Sequence, residues 1–341
     1  MAYTTIDNPK EHFKPIIFTG DGSNARAITV GFEPDWTWMR QRTDASGGYL
    51  VDSIRGNNAA LQSTNVNTEG TFANMTFTST GITVTGNENL NNENAHNYVC
   101  WNWKGSDSSA ASNTDGSIDS TVSANTTAGF SVVTYAGDSA SSATVGHGLG
   151  VAPKAVIVKA RNYAAGWPTQ VDGAYGLRLN STGANDTSNG NVFFANTAPT
   201  TSVFTVGGSD EVNDNYNYVA YCFADIKGYQ QIGSFIGNAN VAGNFVYTGF
   251  KPALLIFKNA SDTREWGIID NARSPHNRTL ATLEPSKAAA ENTSDNFDFY
   301  SNGFRAASTD PGSNGSGNTI IYIAIAENPF VSSKGIPTTA R

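Results

Sequence analysis

The sequence has little charge and little sulfur. Charged residues make up 15% of the 341 residues, against about 25% in ordinary soluble domains. The 21 Lys and Arg residues are outnumbered by 29 Asp and Glu residues, which gives a formal net charge of -8. Phosphate contacts supply most of the affinity for nucleic acid, so this balance disfavours nucleic-acid binding. The only cysteines, Cys100 and Cys222, are expected to be buried hydrophobic residues, not a disulfide.

Long apolar runs are also missing. No stretch approaches the ~20 apolar residues that cross a bilayer, and the first ten residues lack the basic start and apolar core of a signal peptide. We therefore expect no membrane association and synthesis in a cytoplasm.

One pattern occurs three times. A glycine, an apolar residue, a variable residue and a proline precede an apolar run, and a base lies six residues after each proline. The prolines are Pro34, Pro153 and Pro252, and the bases are Arg40, Lys159 and Lys258. Repeats spaced about 100 residues apart are whole small domains. Because alternate strand residues share a face, the second and fourth residues after each proline should face a core: Trp36 and Trp38, Ala155 and Ile157, Leu254 and Ile256.

An aspartate follows each proline by 18, 19 and 18 residues: Asp52, Asp172 and Asp270. The first and third have an arginine three residues later, Arg55 and Arg273. A glycosidase needs two carboxylates flanking the scissile bond, and no second carboxylate is repeated. We therefore predict that these aspartates are structural, that two of them pair with their arginines, and that Asp172 has a different partner. The protein is not expected to be an enzyme.

Short β-branched and aromatic segments between turn-forming residues predict an all-β protein of three tandem antiparallel β-sandwich repeats, jelly-roll-like in character. The segments are an N-terminal arm at 1–15, repeat 1 at 16–104, a Ser/Asn/Thr-rich linker at 105–127, repeat 2 at 128–228, repeat 3 at 229–330 and a C-terminal tail at 331–341. The linker composition indicates flexibility. Repeat 1 should therefore be more independent, and repeats 2 and 3 should form a rigid pair.

Three sets of candidate binding residues follow. Tyr49, Trp167 and Trp266 precede the aspartates and could stack on a ligand. Tyr3, Ile6 and Phe13 are apolar anchors of an arm that is too small to fold alone and is expected to dock on another subunit. No metal or cofactor is predicted, although calcium between Asp210 and Asp214 stays open as an alternative.

Two motifs carry a family resemblance. They are Asp52-Ser53-Ile54-Arg55-Gly56 and the closing pattern of Asn97, Tyr98, Val99, Trp101, Trp103 and Lys104. With the repeat, they resemble an uncharacterised repeated domain of virion structural proteins from marine tailed bacteriophages. The C-terminal residues 326–341 are similar to the ends of many phage structural and tail-fibre-like proteins.

The resemblance implies a non-enzymatic virion protein that is assembled in the host bacterial cytoplasm. The absence of heptads and of shaft-forming repeats favours a capsid decoration protein, a homo-oligomer that docks on other virion subunits. The alternative is a tail- or fibre-associated receptor-binding module for host attachment, which stacks host surface glycans on exposed aromatic residues.

Overall fold

The protein is almost entirely antiparallel β, which confirms the predicted fold class. The computed structural model describes residues 3–72, 74–86 and 89–338. Repeat 1 contains β1 (Phe13–Thr19), β2 (Arg26–Thr29), β3 (Trp36–Gln41), β4 (Tyr49–Asp52), β5 (Met75–Thr78), β6 (Gly81–Val84) and β7 (Asn97–Trp103). The chain continues through β8 (Ala111–Asn113), β9 (Ser120–Asn125), β10 (Phe130–Ala136), β11 (Ser142–Gly146), β12 (Pro153–Ala160), β13 (Pro168–Val171), β14 (Ala174–Arg178), helix α1 (Thr187–Phe194), β15 (Val203–Gly207) and β16 (Asn217–Ala224). Repeat 3 contains β17 (Gln230–Ile236), β18 (Phe245–Tyr247), β19 (Phe250–Asn259), β20 (Trp266–Asp270), β21 (Phe297–Tyr300), β22 (Gly303–Ala306), the short helix α2 (Pro311–Asn314) and β23 (Thr319–Pro329).

The same four-stranded arrangement occurs in each repeat. The opening strand pairs with the closing strand, then come the strand after the repeated proline and a fourth strand: β1-β7-β3-β4, β10-β16-β12-β13 and β17-β23-β19-β20. Pro153 begins β12, whereas Pro252 is the third residue of β19, and both prolines are followed by a register shift against the closing strand. Proline cannot donate a ladder hydrogen bond, so a bulge is a site that tolerates it.

A second, smaller layer covers the outer face of each large sheet. It consists of β2-β6-β5 in repeat 1, β11-β15 in repeat 2 and β18-β22-β21 in repeat 3. In repeat 2, helix α1 packs against β14 and β15. Its amino end is capped by Asp186, which accepts from the Ser188 amide, and it ends at Ala195 with a φ of 51°. A buried asparagine ties a turn in each repeat through its amide nitrogen: Asn92 to Asp21, Asn213 to Asp138 and Asn314 to Asn238.

The inner faces of the three large sheets share one core. The residues two and four after each repeated proline all lie in it, together with residues of the three closing strands. The Trp36 ring stacks 4.3 Å from Tyr221 of repeat 2 and lies 4.2 Å from Trp103. The expectation that repeat 1 is more independent is wrong, because its largest side chains fill the core that all three repeats share.

Residues 105–127 are not a flexible linker. They contain β8 and β9, which extend the second repeat's sheet beyond β10. The segment is also fixed to repeat 1, since the Asp35 carboxylate accepts from the Gly105 amide at 2.8 Å and from the Ser123 hydroxyl at 2.8 Å. Burial raises the pKa of Asp35 despite these bonds. The composition misleads because Ser and Thr side chains can satisfy backbone and carboxylate groups in a covering strand as well as in a linker.

The N-terminal segment folds against its own chain. Phe13 begins β1 and packs 4.8 Å from Trp103, and Ile6 is buried in the shared core. Asp7 accepts hydrogen bonds from the Ser333 amide and hydroxyl at 2.6 and 2.5 Å, which joins this segment to the C-terminal one. The prediction of an arm that docks on another subunit through Ile6 and Phe13 is therefore corrected. Residues 1, 2 and 339–341 of the predicted arm and tail lie outside the described residues.

No helix in residues 3–72, 74–86 and 89–338 is long and apolar enough to span a membrane. Both cysteines are buried and free, and burial raises the pKa of each thiol to about 12. They occupy non-equivalent positions in the closing strands β7 and β16.

The repeated base is buried in every repeat and bonds to main-chain oxygens. Arg40 donates to the carbonyls of residues 284, 287 and 289 in repeat 3. Lys159 donates to Val66 of repeat 1 and to Ala165, whereas Lys258 donates to carbonyls within repeat 3. Burial lowers the pKa of Lys159 and of Lys258 to about 8.

These lysines should make stability rise with pH above neutrality. Between pH 8 and 10 the unfolded chain holds more protons on the two lysines than the folded chain does, so the contribution of these lysines to the free energy of unfolding increases with pH, whereas the two buried thiols contribute in the opposite direction. We expect the wild type to gain about 1 to 2 kcal/mol relative to Lys258→Met between pH 7.5 and 9.5. Urea unfolding at both pH values measures this difference. If the wild type and Lys258→Met differed in free energy of unfolding by the same amount at both pH values, this expectation would be wrong.

Candidate functional site

The predicted aspartate–arginine pairs lie where one repeat meets the next. Asp52 and Arg55 form a fully buried ion pair of 2.5 Å, and the Tyr221 hydroxyl of repeat 2 donates to the same carboxylate at 3.0 Å. Asp270 and Arg273 form an equivalent pair of 2.6 Å, and Trp101 of repeat 1 donates its indole N–H to Asp270 at 2.9 Å.

We call each junction between two repeats a corner. At both of these corners a glutamate extends the ion pair toward the surface. Glu69 bridges Arg55 at 2.8 Å and Arg161 of repeat 2 at 2.9 Å. Glu291 bridges Arg273 at 3.1 Å and Arg42 of repeat 1 at 2.8 Å. The two corners therefore carry the same polar network between different pairs of repeats, which makes their role structural.

The third corner, between repeats 2 and 3, is apolar. Trp36, Ala155 and Leu254 are equivalent, because each is the second residue after a repeated proline. Their partners on the neighbouring strand are Asp52, Val171 and Asp270, so Val171 is the equivalent of the two aspartates in repeat 2. Asp172, taken from the sequence as the repeated aspartate, is instead an exposed turn residue with a φ of 48°, and its amide donates to Lys154. On the closing strand of repeat 3, Ile323 occupies the position that Trp101 has in repeat 1 and Tyr221 has in repeat 2. Both Val171 and Ile323 lie in the shared core. A carboxylate would have no donor here, so an apolar pair takes its place.

The predicted ligand-stacking residues are not at the surface. Tyr49, Trp167 and Trp266 are all buried. The indole N–H of Trp167 donates to Gln62 of repeat 1 and that of Trp266 donates to Arg178 of repeat 2. Both tryptophans thus join neighbouring repeats, and the prediction that they stack on a ligand is wrong.

The acidic residues considered for calcium each serve a different partner. Asp210 accepts from the Tyr163 hydroxyl, Glu211 pairs with Arg178 at 2.6 Å, and Asp214 accepts from Ser139. In the described part of the chain, no group of three His, Cys, Asp or Glu side chains could hold a metal ion.

Repeat 3 carries a concave cleft on its surface. Its volume is about 820 Å³. It lies between the hairpin of β21 and β22, the loop after Arg273, and the ends of β19 and β23. Its walls combine Phe245, Tyr300 and Phe299 with amide side chains at positions 271, 277, 302 and 328. Asn277 is held by reciprocal bonds to the Phe299 backbone, at 2.8 and 2.9 Å, which fixes the loop against the sheet.

Phe245 and Tyr300 line this cleft, and Tyr247 lies on the same strand as Phe245. Phe245 is 49% exposed and packs edge to face with Tyr300, with ring centroids 5.8 Å apart. Tyr247 is 53% exposed on the same strand, and its hydroxyl lies 2.9 Å from that of Tyr3. Tyr3, predicted as an anchor on another subunit, therefore extends an aromatic surface of its own chain. We call Phe245, Tyr247 and Tyr300 the aromatic face.

The equivalent surface of repeat 1 has only alanine and threonine at the positions of these aromatic and charged residues. Its small sheet has the same strand register as that of repeat 3. Gly81 lies opposite Thr29 and Thr78, just as Gly303 lies opposite Tyr247 and Tyr300. The equivalent residues, repeat 1 first, are Ala27 and Phe245, Thr29 and Tyr247, Thr76 and Asp298, Thr78 and Tyr300, Thr83 and Arg305. A scaffold that needs only Ala and Thr in one repeat thus carries aromatic and charged residues in another, so the requirement of the fold does not explain them.

Two ion pairs order the charged groups near the cleft. Arg305 pairs with Asp298 at 2.5 Å and lies 5.7 Å from the Tyr300 ring, and this hydrogen bond raises the pKa of Arg305. Burial, followed by the charge of Asp298, raises the pKa of Tyr300. Lys251 pairs with Glu327 at 2.8 Å at the other side.

Inspection of single residues missed this site, although the sequence does contain a signal for it. Laying Thr78-Ser79-Thr80-Gly81-Ile82-Thr83 over Tyr300-Ser301-Asn302-Gly303-Phe304-Arg305 shows the contrast between the two hairpins. The residues that the repeats share lie outside this cleft, whose residues are those in which the repeats differ.

The comparisons with known proteins give a family without a described activity. One family model, the domain of unknown function DUF7483, matches residues 8–329. The chain belongs to this family. The match spans all three repeats, so the DUF7483 unit corresponds to the complete three-repeat structure and not to one repeat. No curated protein and no solved structure matches the chain.

Proposed function

We propose that this DUF7483 protein is a non-enzymatic receptor-binding module that binds a host surface glycan in the cleft of repeat 3, as part of a phage virion. The observation that carries the proposal is the aromatic face, which repeat 1 lacks on an equivalent sheet. The virion setting rests on the sequence resemblance alone. Between the two functions that the resemblance implies, the cleft supports receptor binding over capsid decoration.

The cleft has the chemistry that a saccharide requires. The C–H faces of a pyranose ring are apolar and pack on aromatic rings, whereas its hydroxyl groups need donors and acceptors at the margin. Phe245 supplies exposed ring surface and the half-buried Tyr300 adds a second ring, while Asn271, Asn302 and Asn328 line the same cleft. Most of the residues that line the cleft are polar, which suits a ligand rich in hydroxyl groups.

The carboxylates near the cleft argue for binding without hydrolysis. Asp298 is paired with Arg305, and Glu327 is paired with Lys251. A glycosidase keeps one carboxyl protonated as general acid by placing it in an apolar environment. Both of these carboxylates are instead held by cations, as in a binding site.

The test is a saccharide-binding measurement with a matched pair of variants. Phe245→Ala/Tyr300→Ala should weaken binding to the best ligand of a glycan panel by at least about tenfold, because two stacking surfaces are removed. Thr78→Ala, at the position of repeat 1 equivalent to Tyr300, should leave affinity unchanged. Thermal unfolding of both proteins checks that the fold is intact. Undiminished binding by the double variant would place the ligand elsewhere, and no binding to any glycan would refute the function.

A further inference from the structure

We propose that the glycan bound in this cleft is acidic and that Arg305 holds its carboxylate; this inference rests on the proposed function. The whole chain has a formal net charge of -8. Among the described residues that line the cleft, however, Lys251 and Arg305 are cationic, His276 is a third basic group, and Glu327 is acidic. Asp298, which pairs with Arg305 at 2.5 Å, is shared with Arg278 at 3.7 Å, so basic groups outnumber acidic ones at this surface of an acidic protein, which complements an anionic ligand.

The geometry around Arg305 leaves part of its guanidinium for a ligand. One terminal nitrogen donates to Asp298, and the buried Nε has no hydrogen-bond partner in the described residues. A guanidinium has five N–H donors in a planar fork that matches the two oxygens of a carboxylate. The buried Nε is out of reach of a ligand, but the side chain is 30% exposed and only one of its terminal nitrogens is bonded within the described residues, so Arg305 is positioned by Asp298 but not saturated.

The position of Arg305 also suits a saccharide that stacks on the aromatic face. Its guanidinium carbon lies 5.7 Å from the centroid of the Tyr300 ring, and Arg305 is the cross-strand partner of Phe245. A sugar ring packed on these aromatic residues would therefore bring a carboxyl substituent within reach of the guanidinium. The equivalent residue of repeat 1 is Thr83, so the fold itself does not require a cation here.

A planar carboxylate matches the fork of a guanidinium better than a tetrahedral sulfate ester does, so a carboxylate is the ligand group that we assign to Arg305. The probes are tetragalacturonate, its methyl ester, which keeps the sugar backbone and removes the charge, and a sulfated neutral tetrasaccharide. Titration calorimetry of the full-length protein at low and high salt measures the three affinities.

We expect tetragalacturonate to bind about tenfold or more tightly than its methyl ester, since a hydrogen bond between two charged groups is stronger than one to a neutral ester. Added salt should reduce this preference. Arg305→Gln should lower the affinity for the acid to that for the ester, and Arg305→Lys should retain part of the preference. Thr83→Gln in repeat 1 is the matched control and should change neither affinity.

The outcomes separate this inference from the proposed function. Equal affinity of the wild type for acid and ester, or binding of neutral glycans alone, would overturn the acidic ligand while leaving glycan binding in place. Tighter binding of the sulfated probe would overturn the carboxylate. Absence of binding to every acidic and neutral saccharide would refute both proposals. The wild-type comparison of acid with ester needs no variant, so it remains decisive if a substitution impairs folding.

Discussion

Asp52→Asn is expected to destabilise the protein by about 3 kcal/mol, the lower end of the cost of breaking a buried ion pair. The change keeps the volume of the side chain but leaves the buried Arg55 guanidinium without its nearest counter-charge, 2.5 Å away. Glu69 remains 2.8 Å from Arg55 and limits the loss. The Tyr221 hydroxyl loses a charged acceptor at the same time. Urea unfolding monitored by circular dichroism gives the free energy difference.

Asp172→Asn is the matched control. The sequence aligns Asp172 with Asp52, whereas the structure places it in an exposed turn. A surface substitution of this kind should change stability by less than about 0.5 kcal/mol. Equal effects of the two substitutions would show that the corners are not held by their buried carboxylates.

The third corner suggests a further variant. Val171 and Ile323 occupy the positions of Asp52 and Tyr221, and Ala174 has the sequence spacing of Arg55. Replacing a buried ion pair as a whole by apolar residues is often less costly than removing one partner. We therefore expect Asp52→Val/Arg55→Ala/Tyr221→Ile to cost less than the sum of its single substitutions, which a comparison of the free energies of unfolding measures.

The sequence was informative where a position obeys a local rule. The alternation of side chains along a strand places Ile157 and Ile256 on an inner face from spacing alone. The spacing rule failed at Asp172, because a one-residue difference moves a side chain to the other face of a strand or into the turn. Only the strand register, in which Ala155 faces Val171, identifies the equivalent residue.

The relation between the repeats could not be predicted from their local patterns. Each repeat shows the periodicity of a self-contained sandwich, and the same pattern fits three separate domains or three sheets around one core. Trp36 was correctly assigned to a core, but that it meets Tyr221 of repeat 2 depends on contacts distant in the sequence. The Ser-rich composition of residues 105–127 likewise concealed a strand that covers the edge of β10.

Trp36→Ala is expected to destabilise all three repeats together, by about 3 to 5 kcal/mol, the usual cost of truncating a buried tryptophan. The Trp36 side chain is fully buried and lies against Trp38, Trp103, Tyr221 and Phe223. These rings come from repeats 1 and 2, and the core continues into repeat 3. The cavity that the substitution leaves would therefore lie at the junction of the three large sheets. A shared core makes unfolding cooperative, so amide protection should fall in every repeat and not in repeat 1 alone. Hydrogen exchange followed by mass spectrometry resolves the three repeats, and Ile336→Ala, at an exposed site, is the control. Loss of protection confined to repeat 1 would mean that the repeats are separate folding units that only touch.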